Sequence, residues 1–289
     1  MSESANSSAA TASVAALLKA RYGATASALG DLPAQAWAPV LDAMLAHRSV
    51  RRHRPDPVTD AQLHSVIAAA QSAASSSNLQ VWSVVAVRDA ATKAALAECA
   101  GGQAHVAQAP LVLMWLVDLA RLAAVAEQLN LPHAALDSLE MFLVGAIDAT
   151  LAAQNAMLAA EALGLAGCYI GGMRNQPEKV AALLGLPPKV FAVFGMTLGV
   201  EDPTPAPAAV KPRLPQSVVL HTERYAPPAE QAAGVETYNA AMADFYASQQ
   251  MAVRGTWAVH SSRRVADDAA LTGRHRLAEA LHGMGFPLK

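Results

Sequence analysis

The chain has 289 residues, of which 53% are apolar and only 15% charged, with a formal net charge of -2. That length suffices for one large domain or two small ones with an ample core. The near-neutral balance gives no sign of a polyanion such as nucleic acid as partner, so any basic ligand site would have to be local.

Residues 1–13 are rich in Ser and Ala and carry no Lys or Arg. They lack the charged region of a signal peptide and read as a disordered tail. Short helices are expected over residues 14–22 and 36–46. Between the second of these and Pro55 stands the densest basic stretch of the chain, from His47 to Arg54. Thr59 and Gln62 have capping-box spacing, Val58 and Leu63 can staple the turn, and Leu63, Val66, Ile67 and Ala70 share one face, so a helix follows. Ser75 to Asn78 is a polar turn. Residues 81–87 are β-branched and read as a strand. Residues 89–100 are helical, and Gly101-Gly102-Gln103 is a loop. Residues 111–118 form an almost wholly apolar strand, as expected for the middle of a sheet covered on both faces.

Residues 145–163 form a long helix of small side chains, suited to close packing in a core or between subunits. Its apolar run is broken by Asp148, Gln154 and Asn155, and no uninterrupted run reaches the ~20 residues that span a bilayer. Residues 167–172 are a short strand entering a glycine turn, residues 177–184 a helix and residues 190–200 the last core strand. The Pro- and Ala-rich stretch 202–211 reads as a linker or crossing arm. A helical segment starts near Val235 and breaks at Arg254-Gly255. Alternating helices and strands give an α/β or α+β sandwich. The high apolar share points to an extensive subunit interface. Cys99 and Cys168 form no CxxC pair, which fits a reducing cytoplasm.

Arginines beside a hydroxyl suit a phosphate, because each guanidinium offers paired donors. His47, Arg48, Ser49 and Arg51 are one such set, and Lys211-Pro212-Arg213 is a second basic cluster. A solvated basic loop explains the first equally well, and spacing alone does not bring the two together. No G-x-G-x-x-G in a strand–turn–helix setting, P-loop, H-E-x-x-H or G-x-S-x-G occurs. The nine histidines are scattered, His260, His275 and His282 read as surface residues, and no metal site is expected. Trp115 reads as core.

The order of motifs resembles the nitroreductase superfamily. It runs from His47-Arg48-Ser49-Val50-Arg51 through Ser75-Ser76-Ser77-Asn78, Gly101-Gly102-Gln103 and Gln154-Asn155 to Tyr169-Ile170-Gly171-Gly172 and Lys211-Pro212-Arg213. The branch resembled is the group A oxygen-insensitive NADPH nitroreductases with the related NADPH-flavin oxidoreductases, and the likeness covers roughly residue 41 to the end. It implies an α+β, three-layer sandwich with a central mixed, mainly antiparallel sheet flanked by helices, in an intertwined homodimer. Residues 14–289 then form one flavin-binding domain with a helical excursion over about 235–289.

The resemblance also implies FMN as cofactor, NADPH or NADH as hydride donor, and a nitro or quinone compound as acceptor in a ping-pong cycle, with no nucleic-acid or membrane partner. His47, Arg48, Ser49, Val50 and Arg51 match the first FMN segment, and Lys211, Pro212 and Arg213 the second. These are expected to hold the phosphate and the pyrimidine edge, with Lys211 near N1–C2. Ser75, Ser76, Ser77 and Asn78 match a segment lent by the other subunit, Gln103 a polar flavin contact, and Tyr169, Ile170, Gly171 and Gly172 the wall beside the ring. No catalytic side chain is expected, since the flavin carries the chemistry.

Two departures stand out. Asn78 occupies a place where the branch often has an aromatic residue. The loop before Trp257 keeps only Arg254 of a basic set that grips the NADPH phosphate. Rival readings are a reductase of free flavin, a non-catalytic flavin-binding protein on the same fold, and a helical interaction protein with a basic loop.

Overall fold

The computed structural model describes residues 16, 18–23, 39–204 and 206–289; the tail expected over residues 1–13 lies outside them. The chain divides into two compact units. One takes Met1–Arg48 and Ala208–Ala270, the other Ser49–Pro207 and Leu271–Lys289.

The second unit holds the sheet. Its strands are β1 (Trp82–Val87), β2 (Leu111–Asp118), β3 (Ala166–Ile170) and β4 (Val190–Gly199), in the order β1-β2-β4-β3. Every pairing among the described residues is antiparallel. β2 has no wettable face, because residues alternate sides along a strand. Leu111, Leu113 and Trp115 pack with Leu63 and Val66 of one helix (Asp60–Gln71) and Ala152, Ala156 and Met157 of another (Leu139–Ala162). Val112, Met114 and Leu116 pack with Leu96 of Ala90–Cys99 and Val180 of Pro177–Leu184 on the opposite side. Three layers result. A third cluster, around Val117, Val144 and Phe191, is closed by Leu281 and Phe286. Residues 271–289 thus return to the core unit.

Local signals hold where the sequence carries them. Thr59 and Gln62 form the reciprocal capping box, Asp89 caps the helix Ala90–Cys99, and Trp115 is fully buried. The long helix starts at Leu139, six residues before the expected Gly145, because Ser138 accepts a hydrogen bond from the Met141 N–H at its first turn. By length and mean hydropathy this helix is long and apolar enough to cross a membrane, unlike the broken run read from sequence. Ala149, Ala152, Ala153 and Ala156 are nevertheless fully buried in the core unit. Leu139, Leu143, Ile147 and Leu151, spaced four apart and so on one side of the helix, are 43–56% exposed.

The first unit is helical. Residues 18–22 are helical, and Pro39–Ala46 is observed where 36–46 is expected, residues 36–38 lying outside the described set. The helix expected from about Val235 starts at Pro228, where proline suits the first turn, and runs to Ser248; Trp257–Arg263 follows after Gly255 at φ +87°. Tyr238 and Trp257 meet edge to face at 5.0 Å, and the Ala258 N–H donates to Asn239 Oδ1 at 3.0 Å.

Gly145 sets how closely the long helix lies on the sheet. A Cβ there would stand 2.6 Å from Val117 Cγ1 and 3.1 Å from the Val81 carbonyl. Alanine gains up to about 1 kcal/mol in helix propensity but overpacking costs about 1–3 kcal/mol, so the clash should win. Gly283, at the end of the helix Leu277–Gly283, has nothing within 4 Å of its missing Cβ. Gly145→Ala should therefore lower the melting temperature and Gly283→Ala leave it level or raised, as read by thermal denaturation. A rise for Gly145→Ala would show that the sheet yields.

Candidate functional site

In the core unit, residues 49–54 run extended along the strand ends. The Val50 N–H donates to the Gly167 carbonyl at 2.9 Å, the Arg54 N–H to Val200 at 2.8 Å, and the Asp202 N–H to Arg52 at 3.0 Å. Val50 turns inward at 1% exposure while Arg51 stays exposed. Arg52 pairs with Asp202 at 3.1 Å. Arg51 has no ion pair among the described residues, and its charge is felt at His105. Val50 is therefore the anchor of this segment and Arg51 its available cation.

Two glycine turns interlock nearby in the same unit. Gly101 and Gly102 have φ of +85° and +74°, in the left-handed region that favours glycine. Gln103 Nε2 donates to the Ala100 carbonyl at 2.7 Å. A Cβ on Gly172 would come within 2.8 Å of both that carbonyl and Gln103 Nε2. Only a glycine lets the two turns meet, so Gln103 and Gly172 share one place. The turn Gly171–Asn175 is held by Arg174, whose guanidinium donates to the Val193 carbonyl. Ile170 is buried. Tyr169 is braced inward: its hydroxyl donates to the Ala153 carbonyl at 3.0 Å and its ring meets Phe194 at 5.3 Å. Burial pushes its phenol well above the usual range, so it stays a neutral donor.

The Ser75 segment hangs from one buried carboxylate. Ser75 Oγ donates to Asp148 Oδ2 at 2.6 Å and the Ser76 N–H to Oδ1 at 3.2 Å. Ser75 Oγ in turn accepts from the Gln80 N–H at 2.8 Å. Ser77 and Asn78 sit at φ +50° and +54°, a conformation that Asn tolerates better than an aromatic residue. Asp148, which breaks the apolar run in sequence, is thus the residue that shapes this loop. Its only signal was a lone acid in a helix of small side chains.

In the first unit a residue absent from the sequence reading connects the two basic clusters. Arg21 donates to the carbonyls of Leu45 and His47, both at 2.7 Å, and of Lys211 at 3.1 Å. The Lys211 side chain is exposed, with Nζ 5.9 Å from the Phe245 ring centroid. The Tyr238 hydroxyl donates to the Pro212 carbonyl at 3.1 Å, and Arg213 reaches back to the Lys211 and Pro212 carbonyls at 3.2 Å. Arg254 lies exposed in the turn before Trp257.

Two neighbouring imidazoles lie in the core unit, His105 within reach of the Arg51 charge. His53 Nδ1 and Nε2 and His105 Nε2 are shut off from water with no hydrogen-bond partner among the described residues. Burial lowers both pKa values. The neighbouring His105 lowers His53 further, offset in part by the Gly199 backbone, close enough to favour the charged form without completing a bond, and by Glu201; Arg51 lowers His105. Each ring binds fewer protons folded than unfolded just below the ordinary value of about 6.5. Their contribution to stability is full above that pH and is lost as pH falls through it towards the folded values. His53→Phe should therefore flatten the loss of urea resistance between about pH 7.5 and about pH 5.5. An unchanged slope would rule His53 out as the source.

Residues 44–200 match the model of the nitroreductase family, and residues 211–289 match its C-terminal domain. The chain is 38% identical over 249 residues to the oxygen-insensitive NADPH nitroreductase of Salmonella typhimurium, covering 86% of this chain and 98% of that protein. It is 39% identical over 230 residues to the NADPH-flavin oxidoreductase of Vibrio harveyi, covering 79% and 92%. The solved NADPH:FMN oxidoreductase from Vibrio harveyi, complexed with NAD+, superposes with a TM-score of 0.76 at 36% identity over 86% of this chain and 99% of that one. With family matches spanning most of its length, this protein belongs to the nitroreductase family.

Proposed function

We propose that this protein is an FMN-dependent NAD(P)H oxidoreductase that reduces nitroaromatic or quinone compounds in a ping-pong cycle. The observation that carries the flavin reading is an exposed Arg51 with no ion pair among the described residues, on the same unit as a glycine cradle that brings Gly172 against Gln103. A guanidinium suits a phosphate, and backbone stripped of Cβ atoms suits a flat ring. The names of the relatives support the same cofactor and donor.

In this reading His47, Arg48, Ser49, Val50, Arg51, Lys211, Pro212 and Arg213 hold the phosphate and pyrimidine ends. Gln103 and the stretch Tyr169 to Gly172 hold the ring, and Ser75, Ser76, Ser77 and Asn78 of one protomer serve its partner's site. Residues 14–289 act as one flavin-binding domain. FMN supplies the hydride-accepting and hydride-donating chemistry when bound. Lys211 offsets the negative charge gained at the N1–C2 edge, and no side chain is required as general acid.

The exposed row Leu139, Leu143, Ile147 and Leu151 supports a homodimer, since an apolar row along a long helix is the kind of surface that a second subunit covers. The place of action is the cytoplasm. Purified protein should be yellow, release FMN and not FAD on denaturation, and scatter light as twice 29.9 kDa. Recovery of FAD alone sinks the cofactor assignment, and a flavin-loaded monomer sinks the dimer. Names among the relatives also favour free flavin as acceptor, and release of reduced FMN during turnover separates that reading.

Preference for NADPH requires cations at the extra phosphate. Hydrogen bonds to charged groups contribute about 1.5–3 kcal/mol each, and about 1.4 kcal/mol is tenfold. Arg254 is exposed and solvent weakens it, and its neighbours Gln249 and Met251 are uncharged, so NADPH should be preferred by a modest margin. Arg254→Ala should raise KM for NADPH and leave NADH nearly unchanged. An equal rise for both would move the phosphate contact to Arg263 or Arg264.

A further inference from the structure

The family matches begin at residue 44, yet a side chain well before that point reaches both basic segments. Arg21 is 5% exposed. Its guanidinium spans 24, 26 and 190 residues of sequence to the carbonyls of Leu45, His47 and Lys211. The contact is returned through the backbone, where the Arg213 N–H donates to the Arg21 carbonyl at 3.0 Å. All of these residues belong to the first unit.

Leu45 lies in the last turn of the helix Pro39–Ala46, where carbonyls lack intrahelical partners and the helix dipole favours a cation. Arg21 supplies that cation. Its planar fork offers several donors in fixed directions, which a lysine cannot reproduce. One side chain thereby sets the start of the first flavin segment, at His47, against the start of the second, at Lys211.

We infer that Arg21 is a positioning residue for FMN, acting through the backbone of His47 and Lys211 and contributed by a segment that precedes the family's matched core. This rests on the FMN reading above. It touches neither the phosphate nor the ring. It holds the two stretches whose side chains do, so its loss spreads their positions and weakens flavin binding and the placement of the Lys211 charge together.

The test compares full-length wild type with Arg21→Ala, Arg21→Lys and Lys211→Ala by FMN titration and flavin midpoint potential, with thermal melts confirming folding. Arg21→Ala should raise the FMN dissociation constant about tenfold or more and move the potential to more negative values, with Arg21→Lys in between. The double variant Arg21→Ala/Lys211→Ala should lose less than the sum of the single losses, because both act through one segment. If Arg21→Ala does not fold, Arg21→Lys carries the same measurements, keeping the charge without the fork. Folded variants with FMN affinity within about twofold of wild type, an unmoved potential, or strictly additive losses overturn the inference. A wild type that takes up no FMN overturns the flavin reading itself, and with it this role.

Discussion

The structure depends on one strand that cannot meet water on either side. From Leu111 to Val117 every residue of β2 is at most 2% exposed. Burying a large apolar side chain contributes about 1.5–3 kcal/mol, so these seven residues together contribute roughly 10–20 kcal/mol as an upper bound. That is comparable to the whole net stability of an ordinary domain, about 5–15 kcal/mol. Helices must therefore cover both faces, and the long helix and its opposite neighbours do so. The layers in turn fix where β3 and β4 end, and those ends receive residues 49–54 and the glycine turn after Ile170.

What the sequence made legible was local or strongly patterned. The capping box at Thr59, the wholly apolar β2 and the glycine turns each announce themselves within a few residues. The motif order led to the family because it is a property of the chain alone. Missed features depend on what lies across the fold. The helix Ala120–Gln128 has Leu119 at its N-cap position, and the acceptor for the Arg121 N–H is Asp118 Oδ1, a residue that reads as the end of the strand before it. The long helix begins early through Ser138, whose capping role is plain only once its Oγ is seen on Met141. Asp148 looked like an interruption because its partners, Ser75 and Ser76, are more than seventy residues away. Arg21 gave no signal at all: one arginine in a short helix, reaching across the sequence to three backbone carbonyls that any residue type would supply.

Arg21 and Asp148 share a physical logic. Each is a charged group taken out of water, and each bonds backbone or hydroxyl groups of a loop. Hydrogen bonds to a charged group contribute about 1.5–3 kcal/mol each, net of the water they replace. An apolar residue in either place would fill the volume but would leave the carbonyls or the serine donors unsatisfied, at about 1–3 kcal/mol each. The ions thereby select the arrangement of the loops in which these groups are satisfied. That selection matters most where a ligand is to be gripped by segments far apart in sequence, and both ions stand beside segments proposed above to hold the flavin, one at His47 and Lys211 and the other at Ser75.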